Sequence, residues 1–173
     1  MQKEHPAIVL IGFMGCGKSS VGRLLARDLR WPRYDTDELV AKELALSIPE
    51  IFALGEEYFR EAESAALTSI GGTNPAVIVT GGGIVLRPEN VRRLHELGTV
   101  IWLQATHAVL QERLARGKYR PLLDTADPAA TIAALFAQRH ALYQEAADLA
   151  IDTSAMSHQE VAQAIRHELR ISC

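Results

Sequence analysis

The stretch Gly12-Phe13-Met14-Gly15-Cys16-Gly17-Lys18-Ser19 places two glycines, a lysine and a serine at the spacing G-x-x-x-x-G-K-S. Glycines let successive backbone N–H groups turn inward on an anion, and the positive N-terminal end of a following helix reinforces them. A lysine at this position reaches the β- and γ-phosphates of a nucleotide, and a serine hydroxyl after it ligates Mg2+. Gly12, Met14, Gly15, Cys16, Gly17, Lys18, Ser19 and Ser20 are therefore the expected nucleotide-contacting residues, with ATP as co-substrate and Ser19 on Mg2+. The context agrees, because an apolar run ends at Gly12 and an amphipathic stretch begins at Lys18.

Phosphoryl transfer needs carboxylates as well. GTPase switches carry Asp-x-x-Gly and Asn/Thr-Lys-x-Asp, and neither pattern occurs in this chain. The β-branched run 76–80 ends in Gly81, not in the acid that many ATPases place there. Asp35-Thr36-Asp37 is the best alternative source. On an extended segment, residues two apart share a face, so both carboxylates would enter one pocket, with Asp35 the candidate metal ligand. The competing reading makes one of them the cap of the helix that follows.

Three further groups suggest a second substrate. Arg60 is either a ligand for an anion or a surface ion-pair partner of Glu56 or Glu63 at helical spacing. Gly81, Gly82 and Gly83 follow the carboxyl end of a strand, where open α/β sheets place their ligands. Arg120 lies in a polar stretch, and Arg139 shares a helix face with Tyr143. Cys16, beside Lys18, either gains thiolate character from the positive potential or packs as a small inert residue.

The elements needed to position these groups can be read from periodicity. Strands are expected at 7–11, 32–37, 76–80, 99–103 and 149–152, and helices at 18–29, 38–46, 47–52, 56–70, 88–97, 107–116, 129–147 and 158–169. Residues 117–128 lack a period and read as a surface loop. Strands alternating with helices mean a parallel sheet covered on both faces. The chain has 173 residues, 48% of them hydrophobic, which suits one domain with a substantial core. A net charge of −3 gives no basic footprint for nucleic acid, and no apolar run is long enough for a membrane helix. Two cysteines, one inside the glycine loop, suit a reducing cytoplasm.

Taken in chain order, the glycine loop with Ser20-Val21-Gly22, Asp35-Thr36-Asp37, Ile51-Phe52 with Gly55-Glu56 and Phe59-Arg60, the triple glycine, Arg120-Pro121-Leu122-Leu123, and Arg139 with Tyr143 closely resemble the shikimate kinase family. That resemblance implies a three-layer α/β/α P-loop kinase fold with a mostly parallel five-stranded sheet, a single domain over 1–173, a substrate region near 35–62 and a mobile lid near 116–128. It implies ATP-dependent phosphorylation of the 3-hydroxyl of shikimate, a step towards chorismate and the aromatic amino acids. It further implies that Asp37 contacts the substrate hydroxyls, that Arg60 and Arg139 hold its carboxylate, and that Gly81, Gly82 and Gly83 line its pocket. Arg120 would approach the transferring phosphate from the lid, Arg113 would stack on adenine, and the enzyme would be a cytoplasmic monomer. One departure is that the stretch 51–56 is a residue shorter than the family spacing.

Overall fold

Ala7–Ile11 forms β1, apolar at every position and buried along its whole length. Such a strand belongs in the middle of a sheet covered on both faces, and β1 lies there. In the computed structural model, which describes residues 7–72, 75–117 and 120–171, β2 (Arg33–Asp35), β3 (Ala76–Val79), β4 (Gly98–Gln104) and β5 (Leu149–Asp152) complete one sheet. Its order is β2-β3-β1-β4-β5, and every neighbouring pair is parallel. The expectation of a mostly parallel sheet is met in full. Because β1 sits between β3 and β4, the loops that leave β1 and β3 open side by side at the carboxyl edge, where such sheets bind ligands.

Eight α-helices occur among the described residues: α1 (Lys18–Leu29), α2 (Thr36–Leu44), α3 (Ile48–Ala53), α4 (Glu56–Ser69), α5 (Pro88–Leu97), α6 (His107–Ala115), α7 (Pro128–Ala146) and α8 (His158–Glu168). The principal core is built from the five strands with the inner faces of α1, α5, α7 and α8, joined by Leu67 of α4 and Leu110 of α6. Val40, Ile51 and Phe59 form a second buried cluster, joined by Leu44, Leu46, Ile48, Phe52, Ala62 and Ala66. That smaller cluster is supplied by α2, α3 and α4 together with residues next to them. The fold thus has a large core under the nucleotide loop and a small one of its own under the segment expected to bind substrate.

Differences from the sequence expectations have local causes. The predicted strand over 32–37 ends at Asp35 because the Asp35 carboxylate accepts hydrogen bonds from the backbone N–H groups of Asp37 and Glu38, which starts α2 at Thr36. Ser47 is the cap of α3, not its first residue, and forms a reciprocal capping box with Glu50. A short 3-10 turn, Ile84–Leu86, follows the triple glycine, and another, Pro121–Leu123, interrupts the stretch read as loop. Lys118 and Tyr119, within the expected lid, and Cys173 lie outside the described residues.

Candidate active site

Between β1 and α1 the chain wraps around an open cavity of about 420 Å³, lined by Gly15, Gly17, Lys18, Ser19 and Ser20 from the loop and by Thr80, Gly81 and Gly82 from the end of β3. Gly17 caps α1 in a left-handed conformation with φ 97°, a backbone state open to glycine at little steric cost. Gly12 and Gly15 turn the loop at φ 144° and 82°. The Lys18 ammonium folds back on the loop, donating to the Gly12 carbonyl at 2.6 Å and the Phe13 carbonyl at 3.0 Å. These carbonyls hold a buried cation in place, and an incoming phosphate offers a stronger, charged acceptor. Ser19 is exposed at the start of α1, where its hydroxyl is free to meet a ligand.

Cys16 is 1% exposed within the main core, its sulfur 3.7 Å from Lys18 Nζ. This burial favours the packing reading of Cys16 over the reactive one. Arg113 reaches the cavity from α6, donating to the Gly15 carbonyl at 3.4 Å and to the Thr153 carbonyl at 3.1 Å. His158, the first residue of α8, also lines the cavity, and a Cβ added to Gly17 would lie 3.1 Å from its ring. Sequence reasoning missed His158, since a histidine just after a helix cap carries no signal of its own.

A second cavity adjoins the first. Met14, Asp37, Gly81, Gly82 and Arg120 line both. Asp35 and Asp37 do not act as a pair on one strand face. The helix start rotates them apart, leaving Asp35 as a cap that also pairs with Arg33 at 3.2 Å. Burial, and then the charge of Glu38, push the Asp35 carboxyl above its usual range, against the helix N–H groups and Arg33. Asp37, in the first turn of α2, is the one that enters the cavities, and its Oδ1 is shut from solvent without a hydrogen-bond partner. Burial, and then the Asp35 charge, raise the Asp37 carboxyl, while Lys18, Arg120 and Arg60 hold it down. A carboxyl whose pKa is moved towards neutrality is a stronger proton acceptor than an ordinary aspartate.

The far wall carries the cations. Arg60 is 5% exposed, held by Glu56 and Glu63 at 3.1 Å each and lying over the Phe59 ring at 5.2 Å. The ion pairs foreseen from helical spacing exist, but the pair with Glu63 is buried, not on the surface. Despite the shortened spacing before it, Arg60 faces the pocket. Arg139 is 1% exposed, its Nε without a partner. One turn further on, Tyr143 donates its hydroxyl to the Gly82 carbonyl, tying α7 to the triple glycine. Burial pushes the Tyr143 phenol up, so it stays a neutral donor. Arg120 is exposed at the rim of both cavities. Foreseen only as a surface partner of Arg60, Glu63 is 0% exposed, and its carboxyl is pushed up to about 7 by burial, with Asp37 adding to the shift and Arg60 and Arg139 opposing it. Its signal was present: Phe59, Glu63 and Leu67 fall on one buried stripe of α4.

A glycine loop for phosphates, a lysine at its end and an adjoining pocket with two buried arginines define a P-loop small-molecule kinase. The shikimate kinase family model matches residues 14–170 of the chain. A shikimate kinase from Moorella thermoacetica is 46% identical over 164 residues, 94% of each chain, and one from Thermodesulfovibrio yellowstonii is 44% identical over 162 residues, 93% of each. The solved structure of the shikimate kinase from Acinetobacter baumannii in complex with shikimate superposes with a TM-score of 0.90 at 33% identity, covering 97% of this chain and 95% of that one. A gluconokinase from Sinorhizobium meliloti, 18% identical with a TM-score of 0.58, shares the fold alone. The chain belongs to the shikimate kinase family, and its activity is the ATP-dependent phosphorylation of shikimate. No helix among the described residues is long and apolar enough to cross a membrane.

Proposed function

We propose a division of labour among named residues for the transfer of the ATP γ-phosphoryl group to the 3-hydroxyl of shikimate. The observation that carries it is that the nucleotide cavity and the arginine-lined cavity share Asp37, Gly81, Gly82 and Arg120 at their junction. The transferring group must pass there. Lys18 moves from the loop carbonyls to the β- and γ-phosphate oxygens, Arg113 lies along the nucleotide, and Arg120 comes down from the lid onto the phosphoryl group in flight. Arg60 and Arg139 grip the shikimate carboxylate, for which forked guanidinium groups are well suited. Asp37 then lies against the hydroxyl that attacks, orienting it and accepting its proton as the bond to phosphorus forms. Catalysis of this kind is mainly positioning and charge stabilisation.

Mg2+ fits this site in a limited way. Among the described residues no group of three or more His, Cys, Asp or Glu could hold a metal by itself. The exposed Ser19 hydroxyl would be the protein's direct ligand, with phosphate and water oxygens completing the shell. Asp35, with both carboxylate oxygens already bonded, fits only as an outer partner through water. When bound, the ion neutralises charge on the β- and γ-phosphates.

Closure of the lid would exclude water that could otherwise intercept the phosphoryl group. Every residue in this scheme comes from one chain, so it operates in a monomer, and the reading suits an enzyme of the cytoplasm. A coupled ADP-release assay with shikimate, quinate and gluconate tests the reading. Turnover with shikimate should far exceed that with the other two, and comparable rates with gluconate would overturn it.

A further inference from the structure

Glu63 has no solvent exposure, yet only one of its oxygens is bonded. Its Oε2 accepts from Arg60 Nη1 at 3.1 Å, while Oε1 has no hydrogen-bond partner. That lone oxygen and the lone Oδ1 of Asp37 both crowd Gly81, where a side chain as small as a methyl group would overlap Glu63 and lie 3.0 Å from Asp37 Oδ1. The charged groups that face Glu63 are Arg60 from its own helix, Asp37 from α2 and Arg139 from α7, with the half-exposed Glu56 on the outer side of Arg60. Inside the pocket two buried arginines therefore face two carboxylates before any substrate arrives, with Arg120 exposed at the rim.

Shikimate adds a third carboxylate. If that carboxylate is held by Arg60 and Arg139, as proposed above and on which this inference rests, it competes with Glu63 for the same guanidinium. A carboxylate that loses its counter-charge on the surface is rescued by water. Glu63 has no surface open to solvent, and an unpaired buried anion neutralises itself in preference to remaining charged. We propose that Glu63 takes up a proton from the medium when shikimate binds, so that the substrate carboxylate replaces that of Glu63 as the counter-charge of Arg60. The product of the step is a neutral carboxylic acid, with a new O–H donor beside the lone oxygen of Asp37. Burial already brings the Glu63 carboxyl up to about 7 in the free protein. The uptake is then small in mild acid, where the group is already protonated, and approaches one proton in mild alkali.

Titration calorimetry of shikimate into the whole enzyme, in two buffers of different ionisation enthalpy, reads this directly. At about pH 8.5 roughly one proton should be taken up per shikimate bound, falling towards zero near pH 6, and the Kd should rise by about tenfold per pH unit above the Glu63 pKa. Glu63→Gln keeps the shape of the protonated acid and should abolish both the uptake and the slope. Shikimate methyl ester, which carries no carboxylate charge, should bind wild type with no uptake, a check that needs no variant to fold. Absence of uptake by wild type at pH 8.5, or uptake unchanged in Glu63→Gln, overturns the proposal. If Arg60→Ala and Arg139→Ala weaken shikimate while wild type takes up no proton, the Glu63 inference alone falls. If the ester binds as well as shikimate and the arginine variants are unaffected, the carboxylate reading falls with it.

Discussion

Gly83 and Arg60 are in direct contact, backbone against guanidinium, so closely that a Cβ at position 83 would overlap the Arg60 head group. Arg60 cannot easily retreat, because Glu56 and Glu63 pin it at 3.1 Å and Phe59 lies beneath it at 5.2 Å. Gly83→Ala should therefore raise the KM for shikimate by about tenfold or more through loss of the carboxylate grip, with the KM for ATP little changed. Arg60→Ala and Arg139→Ala should each raise it by roughly 10–150-fold, the worth of a charge-assisted hydrogen bond. Steady-state kinetics with each substrate varied in turn separates these outcomes. An equal loss for both substrates in the Gly83 variant would point to general misfolding of the turn.

Asp37→Asn keeps the shape of the side chain and removes its ability to accept a proton. It should lower kcat/KM for shikimate by about 10²–10⁴-fold while leaving ATP affinity near that of wild type. Lys18→Ala should abolish turnover but leave shikimate affinity intact, because Lys18 contacts the nucleotide loop and not the arginine pocket. Near-normal kcat in the Lys18 variant would remove the lysine from the transfer step.

Arg116 is exposed at the start of the expected lid, and Arg120 is exposed within it. Trypsin should cut the free enzyme at the Arg116–Gly117 bond, the Arg120–Pro121 bond being resistant, and an ATP analogue together with shikimate should slow the cut several-fold beyond either ligand alone. Mass-spectrometric mapping of the first cleavage gives the answer, and an identical rate under all conditions would exclude closure.

The raised carboxyl of Glu63 also predicts a slope in stability. Its folded value of about 7 against an ordinary 4.5 means that the native state binds this proton more tightly than the unfolded chain does. Its contribution is fully present below 4.5 and is lost as pH rises to 7 and slightly beyond, a loss of about 3 kcal/mol at 1.36 kcal/mol per pH unit. Urea unfolding of wild type and Glu63→Gln across this range should show the variant gaining on wild type as pH rises, then running parallel to it. Parallel curves throughout would mean that Glu63 titrates as it does in the unfolded chain.

Legibility in the sequence followed how locally each feature is determined. The nucleotide loop was readable because its chemistry is written in eight adjacent residues, and β1 because an unbroken apolar run has one natural place in a parallel sheet. The start of α2 was misjudged, since a single side-chain cap at Asp35 decides whether Thr36 and Asp37 are strand or helix. That decision changed the relation between the two aspartates without moving Asp37 from the pocket. The burial of Glu63 and the place of His158 escaped because both are made at a distance. Glu63 is sealed in by Gly81 and Asp37, and His158 meets Gly17 only when α8 packs against the loop.

The two hydrophobic clusters share no side chain. Residues without common partners contribute to stability nearly independently, so truncating Val40 and Leu97 together should destabilise the protein by the sum of the single losses, within about 0.5 kcal/mol. This independence reaches beyond stability to inheritance. Val40, Ile51 and Phe59 have a small core of their own, so drift among the side chains of that cluster can accumulate without disturbing the packing beneath Lys18, whereas Leu39 and Leu67 of the same helices answer to the main core. Recombination that exchanges the segment from α2 to α4 between relatives would carry Asp37 and Arg60 with it and leave the triple glycine and Arg139 behind, so the two walls of the acceptor pocket can be inherited from different parents.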